Sequence, residues 1–317
     1  MTVVPTGPGP VGEPALSATP AGAAGAATDL ALPLQDVLGV RESEPDVFVG
    51  ARGARARTGI FGGQLAGQAL AAAQQTADFP AHSLHGYFLQ SGEPDIPVSY
   101  HVERLRDGRS SAVRRVVARQ HDRRLFEVMA SFTTPREGLD HADPAPLDVP
   151  DPESVADLPS HLASWGFDGP LPPHFAVLDF RPVSVVSPLA PRAYPPSQQV
   201  WFRVRTALGD DPRVHLQALT YASDLYLLAT SLRPHGIASA SPGVSFASLD
   251  HAIWFHRPFR ADEWLLHDQH SPTASAGRGY STGKIFRRDG TLVATTAQQG
   301  FIRPPAGAVG EQRPPTR

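Results

Sequence analysis

The stretch LTYASDLYLLATSL, residues 219–232, is apolar on almost every side and contains one carboxylate, Asp224. On a helix, the neighbours of Asp224 at three and four residues include Tyr221, Leu227 and Leu228, so the acid shares a face with bulky apolar groups. Apolar surroundings disfavour the charged form of a carboxyl group and make it a better base near neutral pH. The pattern predicts an acid that accepts a proton from water.

A plainer interpretation of Asp224 stays open at this point. Aspartate is favoured at the N-cap of helices, so the same residue could cap a shorter helix that begins at Leu225. The sequence pattern alone does not separate these alternatives.

The composition limits the classes of protein to which the chain can belong. Its 317 residues are 41% hydrophobic, which is enough for the core of two domains. A net charge of −3 gives no basic excess for binding nucleic acid, and the absence of cysteine excludes disulfides and thiolate chemistry. No apolar run approaches the ~20 residues that span a bilayer, and the N-terminus lacks a signal peptide pattern, so a cytoplasmic location is expected.

Proline-rich segments divide the chain into two similar halves. We expect residues 1–30 to be disordered, residues 136–195 to form a linker with one short helix, and residues 304–317 to be a flexible tail. Each half between them, 31–135 and 196–303, shows a long helix followed by strands with alternating hydrophobicity.

The two halves also match in spacing. Ser83 in the first half and Ser248 in the second begin similar runs, and Phe132 and Phe301 close the last strands of the two halves. The separation between Ser83 and Ser248 is nearly the same as that between Phe132 and Phe301. The sequence therefore predicts an α+β fold of two tandem repeats, each with a long helix wrapped by an antiparallel sheet. A helix that is apolar all round is natural inside such a sheet.

Several runs in the two halves resemble the acyl-CoA thioesterase II family, which has a double hotdog fold. They cover most of residues 55–303 in the family's order: FGGQLAGQAL, HSLHGYFLQSG, VERLRDGRSSAVRRV, YASDLYLL, LDHAIWFHRPF, EWLLHDQHSPTASAGRG and GTLVATTAQQGFIRP. The resemblance implies hydrolysis of acyl-CoA to free fatty acid and CoA, without a cofactor or metal. It also implies a homo-oligomer, because hotdog sheets commonly pair.

The family's catalytic positions correspond to Asp224, Ser248 and Gln298 in this sequence. The resemblance implies that Ser248 and Gln298 hold a water molecule and that Asp224 takes its proton. A thiol, with a pKa of ~8.5, leaves as thiolate without a strong general acid. Ser248 could instead be an ordinary strand residue, and either Gln298 or its neighbour Gln299 should face solvent because adjacent strand residues project to opposite faces.

Substrate contacts are expected in both halves. Gly62, Gly63 and Gln64 begin the first long helix, where backbone amides could meet an anion or a carbonyl oxygen. The glycines could equally serve a tight turn and close packing. The centre of this helix has no acid comparable to Asp224, so we expect one active site per chain.

Two arginines at family positions are candidates for binding the CoA phosphates. Arginine is always charged and forms paired hydrogen bonds with phosphate, and Arg257 and Arg278 occupy these positions. The alternative for Arg257 is a structural ion pair.

Two further patterns are not expected to be catalytic. GYSTG, residues 279–283, fits the serine nucleophile elbow, but the chain continues as a hairpin where that motif needs a helix, which argues against Ser281 as a nucleophile. His251 and His256 are five residues apart on a predicted strand, so they face opposite sides and cannot bind one metal ion.

Two other functions use the same fold and substrate. An enoyl-CoA hydratase of the hotdog type would need an Asp and a His placed together, and no such pair accompanies Asp224 in the sequence. A non-catalytic acyl-CoA binding protein would not need the three competent side chains.

Overall fold

Two halves with the same order of elements form the protein. The computed structural model describes residues 33–52, 59–167, 169–190 and 192–305, so the segment predicted to be disordered and most of the predicted tail lie outside the described residues. The first half contains α1 (Leu34–Leu38), β1 (Val40–Glu44), β2 (Val47–Gly50), α2 (Gly62–Gln74), β3 (Ala81–Phe88), β4 (Ser99–Asp107), β5 (Ser111–Gln120) and β6 (Arg123–Thr133).

The range predicted to be a linker contains regular structure as well as extended chain. It holds a 3-10 helix (Pro152–Ser154), α3 (Leu158–Ser164), α4 (Pro173–Ala176) and β7 (Leu178–Pro182). The second half continues with β8 (Ser197–Val204), α5 (Pro212–Ser223), a 3-10 helix (Leu228–His235), β9 (Ser245–Ser248), β10 (Asp250–Phe255), β11 (Leu265–Ser275), β12 (Arg278–Arg287) and β13 (Leu292–Arg303).

The strands form one sheet of thirteen strands that is symmetric in its order. The order is β1-β2-β4-β5-β6-β3-β10-β13-β12-β11-β8-β7, with β9 added beside β13. The halves meet through an antiparallel pairing of β3 with β10, in which Leu84 lies opposite Ile253. Each half repeats the same sequence of neighbours outward from this junction. The predicted α+β double hotdog of tandem repeats is confirmed.

The helices α2 and α5 lie side by side and antiparallel inside the sheet. At one end, Gln217 of α5 donates a hydrogen bond of 2.7 Å to Gln74, the last residue of α2. At the other end, a Cβ atom on Gly63 would lie 2.3 Å from the carbonyl oxygen of Tyr221, so the helices approach closely there. Small residues allow this spacing, since α2 is rich in alanine and glycine and buries every residue from Gly63 to Gln74.

The predicted helix through residues 219–232 is wrong in its extent. The helix α5 ends at Ser223, and Asp224 is its C-cap residue. Asp224 therefore follows a helix, so the N-cap alternative is also wrong. The chain turns at Tyr226, which has a φ of 63°.

Buried side-chain amides stabilise this turn. Gln198 of β8 donates to the carbonyl oxygen of Tyr226 at 3.1 Å, and Gln269 of β11 donates to that of Leu225 at 3.4 Å. These carbonyl groups thus find partners outside a helix, which removes the need to continue it.

The same polar core holds a histidine in its neutral form. Gln269 donates from Nε2 to Nδ1 of His267 at 2.9 Å, so the imidazole donates from Nε2 to the hydroxyl of Thr296 at 3.1 Å. Burial and, as a smaller contribution, the neighbouring His251 lower the pKa of His267 to about 3.

Acid should destabilise the fold through His267. The ordinary pKa of 6.5 applies in the unfolded chain, so between pH 6.5 and about 3 the unfolded state binds the proton and the folded state does not. Stability is therefore full above pH 6.5 and falls as the pH decreases. His267→Gln should make the unfolding free energy less steep over pH 4–6.5, by roughly 1 kcal/mol per pH unit, as measured by urea titration.

The matched control is His270→Gln, three residues along the same strand at an exposed position. This variant should retain the wild-type slope. Equal slopes for His267→Gln and the wild type would contradict the assignment.

Candidate active site

Gln298 connects the other two residues predicted to be catalytic, Asp224 and Ser248. It lies on β13 with its side chain completely buried. Its Nε2 donates to the carboxylate of Asp224 and, at 3.1 Å, to the hydroxyl of Ser248. Asp224 comes from the end of α5 and Ser248 from the end of β9. The fold thus brings together three side chains that are far apart in the sequence.

A local irregularity places Ser248 beside this amide. Ser248 pairs with Gly300 on β13, and the next residue, Leu249, donates its backbone N–H to the carbonyl oxygen of Gln299. The backbone N–H of Gln299 turns to the side chain of Asp250. Gln298 faces the interior and Gln299 is partly exposed, which agrees with the expected alternation.

The second oxygen of Asp224 faces the N-terminus of α2. A Cβ atom on Gly62 would lie 2.8 Å from Asp224 Oδ2 and 2.9 Å from the ring of Phe88, so only glycine fits without displacement. Phe61 at the N-cap provides no side-chain cap, and the N–H of Gln64 bonds to the carbonyl oxygen of Phe61. The amides of Gly62 and Gly63 precede any intrahelical acceptor, and the helix dipole there stabilises a nearby anion by roughly 0.3–1 kcal/mol.

Aromatic side chains surround the carboxylate on the side of α2. His174 stacks on Phe61 with ring centroids 5.0 Å apart, and Tyr221 meets Phe61 edge-on, also at 5.0 Å. Burial lowers the pKa of His174 to about 4, against the opposing effect of Asp224, so the imidazole is neutral near pH 7. Sequence reasoning missed His174 because it lies among prolines in the predicted linker, without a periodic pattern.

His251 lies behind Asp224 and is almost fully buried. Its Nε2 is 2.9 Å from the hydroxyl of Ser223, which donates its own proton to the carbonyl oxygen of Thr220. Burial lowers the pKa of His251, while Asp224 and Asp250 act in the opposite direction.

The other histidine of the predicted pair, His256, is exposed and lies 3.0 Å from the hydroxyl of Thr295. The two imidazoles are thus on different sides of the strand, as the spacing predicted.

The two candidate arginines lie near opposite ends of β13. Arg278 is exposed at the start of β12. Ser281, which lies opposite Gln298, is three residues further along the same strand, so Arg278 is roughly 10 Å from that position. Arg257 binds the carbonyl oxygen of Leu292, at the opposite end of β13, and pairs with Asp140. These contacts agree with the structural alternative for Arg257.

The serine of the GYSTG pattern lies in the middle of β12. The strand continues to Arg287, and Ser281 is completely buried directly opposite Gln298. A nucleophile elbow instead needs an exposed turn between a strand and a helix.

The opposite end of the helix pair has no comparable arrangement. The side chain of Asp211 accepts a hydrogen bond from the N–H of Arg213 and so caps the start of α5. At the end of α2, the guanidinium of Arg114 donates to the backbone oxygen of Thr76 at 2.6 Å. Polar groups of the chain itself therefore occupy both helix termini at that end.

Comparisons with known proteins agree with this fold. A family model described as acyl-CoA thioesterase matches residues 178–301, and one described as acyl-CoA thioesterase N-terminal domain matches residues 52–133. Mouse (Mus musculus) acyl-coenzyme A thioesterase 8 is 39% identical over 260 residues, covering 77% of this chain and 80% of the mouse protein. Acyl-CoA thioesterase 2 of Haemophilus influenzae is 38% identical over 251 residues, covering 77% and 87%.

A solved structure extends the likeness to three dimensions. The acyl-CoA thioesterase II TesB2 from Mycobacterium marinum has a TM-score of 0.71 and 41% identity, covering 86% of this chain and 99% of that one. The tandem repeats with a shared sheet define a double hotdog protein. The chain belongs to the acyl-CoA thioesterase family. In the part of the chain that the structure describes, no helix is long and apolar enough to cross a membrane.

Gly62→Ala should impair turnover without destabilising α2. Alanine is favoured in helices by about 1 kcal/mol over glycine, but its methyl group would displace the Asp224 carboxylate or the Phe88 ring. We expect kcat for acyl-CoA hydrolysis to fall roughly 10- to 100-fold, measured by release of free thiol. Gly169→Ala is the control, because its Cβ would meet nothing within 4 Å. Wild-type turnover by Gly62→Ala would show that this contact does not matter.

Proposed function

We propose that the chain hydrolyses acyl-CoA thioesters with a water molecule activated by Asp224. The observation that carries this proposal is the pair of hydrogen bonds from the Gln298 amide nitrogen, one to Asp224 and one to Ser248. A free fatty acid and CoA are the products.

The two oxygens of Asp224 have different tasks in this proposal. Oδ1 is held by the amide of Gln298, which fixes the plane of the carboxylate. Oδ2 faces the first turn of α2 at Gly62 and is the oxygen that takes the proton from water. The hydroxyl of Ser248 orients the same water molecule, since it can accept or donate a hydrogen bond. Because the water is already held in this geometry, the reaction step loses less translational and rotational entropy than a bimolecular reaction would.

The start of α2 then stabilises the charge that develops on the thioester oxygen. The amides of Gly62 and Gly63 are the donors in this proposal, because neither can bond within the helix. The amide of Gln64 already bonds to Phe61 and does not contribute. The surrounding rings of Phe61 and Phe88 lower the local dielectric constant, which strengthens both interactions.

The leaving group needs little help from the protein. A thiol has a pKa of ~8.5, so the leaving group departs as the thiolate without protonation by a strong acid. Consistent with this, burial keeps the nearby His174 neutral, and it raises the pKa of Tyr221 further above 10. The exposed Arg278 is the candidate for the CoA phosphates.

Asp224→Asn should lower kcat by on the order of 10²–10⁴, because the amide cannot accept the proton. The hydrogen bond from Gln298 can be retained by the asparagine oxygen, so the fold should be unchanged. Release of free thiol from acyl-CoAs between acetyl and palmitoyl measures the effect and also gives the chain-length preference.

Asp268→Asn is the matched control. Asp268 is a partly buried carboxylate of the same half that accepts a hydrogen bond from Gln199. Normal turnover by a folded Asp224→Asn protein would refute the proposal. With enoyl-CoA, a gain in mass of one water on the intact thioester would indicate a hydratase instead, and saturable binding without thiol release would indicate a binding protein.

Self-association and a cytoplasmic location belong to the same proposal. Hotdog sheets commonly pair, and closed symmetric oligomers are the usual result. Light scattering after size exclusion tests the first, and cell fractionation tests the second.

A further inference from the structure

Three strands place one polar residue each in a single row on the inner face of the sheet. Ser281 of β12 lies directly opposite Gln298 of β13. On the other side of β13, Ala252 of β10 lies opposite Ala297, and His251 is the next residue along β10 in the direction of Gln298. Residues directly opposite each other project to the same face, with Cβ atoms ~5 Å apart. All three are at most 1% exposed.

Each member of this polar row has one atom without a hydrogen-bond partner among the described residues. These atoms are His251 Nδ1, Gln298 Oε1 and Ser281 Oγ. Leaving a buried polar atom unpaired costs about 1–3 kcal/mol, so three in one row call for an explanation.

The hydrogen bonds of the other atoms define what the row can accept. We assign the one proton of the Ser223 hydroxyl to the carbonyl oxygen of Thr220, so that the imidazole of His251 donates from Nε2 and its Nδ1 is an acceptor. The Nε2 of Gln298 faces Asp224 and Ser248, so its Oε1 is an acceptor as well. The hydroxyl of Ser281 supplies one donor.

We propose that His251, Gln298 and Ser281 bind one buried water molecule that fixes the amide of Gln298 from behind. Such a water donates to Nδ1 and to Oε1 and accepts from the Ser281 hydroxyl, which satisfies all three atoms. Ser281 and His251 are then positioning residues, because they act on the reaction through Gln298. This proposal rests on the proposed function and assigns a role to the serine of the GYSTG pattern.

The water fixes the plane in which Gln298 contacts Asp224 and Ser248. Without it, Oε1 would be buried and unpaired, and the amide would gain by rotating toward any donor that enters the site. Rotation would remove the donor from Asp224. The expected effect is therefore on turnover rather than on substrate binding.

Ser281→Ala tests the proposal in a double-mutant cycle with Gln298→Ala. Alone, Ser281→Ala should lower kcat roughly 5- to 20-fold with KM changed less than about twofold. In the Gln298→Ala background it should have no further effect, because the group that it positions is gone. Thr282→Ala is the control on the same strand. The hydroxyl of Thr282 donates to the carbonyl oxygen of His270, so its removal should leave kcat unchanged.

His251 offers a matched pair of variants. His251→Gln retains a donor near Nε2 for Ser223 but loses the acceptor at Nδ1, so it should lower kcat like Ser281→Ala. His251→Asn places an acceptor near Nδ1 and should retain more activity than His251→Gln. The reverse order would overturn the assignment.

A crystal structure provides a readout that does not depend on activity. Density for a water within hydrogen-bond distance of all three atoms in the wild type, and its loss in Ser281→Ala, would support the proposal. A wild-type site without that water would overturn it, as would unchanged or additive kinetics for Ser281→Ala. If Asp224→Asn and Gln298→Ala also had wild-type turnover, the proposed function itself would fail, which distinguishes the two failures.

Discussion

The antiparallel packing of α2 against α5 is the constraint on which the site depends. It brings the C-terminal end of one helix, which carries Asp224, to the N-terminal end of the other, which begins at Gly62. An acid at the end of its own helix is disfavoured by that helix dipole, and the start of the neighbouring helix offsets this cost. The close approach needs small residues, and α2 supplies them with its alanines and glycines.

Buried glutamines hold the chain in the conformation that this packing requires. Gln198 and Gln269 bind the carbonyl groups of the turn after Asp224, and Gln298 binds its carboxylate. A side-chain amide can donate and accept hydrogen bonds at once, so these glutamines provide partners for carbonyl groups of the turn that would otherwise be buried and unpaired. The polar core is thus a support for the site, and its neutral histidine His267 belongs to the same network.

The two repeats share one plan but differ at the helix ends. In the first half, Arg114 closes the end of α2, and in the second half Asp211 caps the start of α5. At the other end of the helix pair, α5 of the second half ends at Asp224, and α2 of the first half begins without a side-chain cap. In the proposed mechanism both repeats therefore contribute to one site, because equivalent positions of the two helices carry different side chains.

The sequence by itself determined the repeats, the strands and the family, because alternation, apolar helices and motif order are local signals. It also singled out Asp224, Ser248 and Gln298, through the resemblance. The tertiary structure decided where α5 ends, because the partners of Leu225 and Tyr226 are glutamines on distant strands. It likewise decided the places of His174 and Ser281, since a residue's neighbours across a sheet or a linker leave no mark in the spacing along the chain.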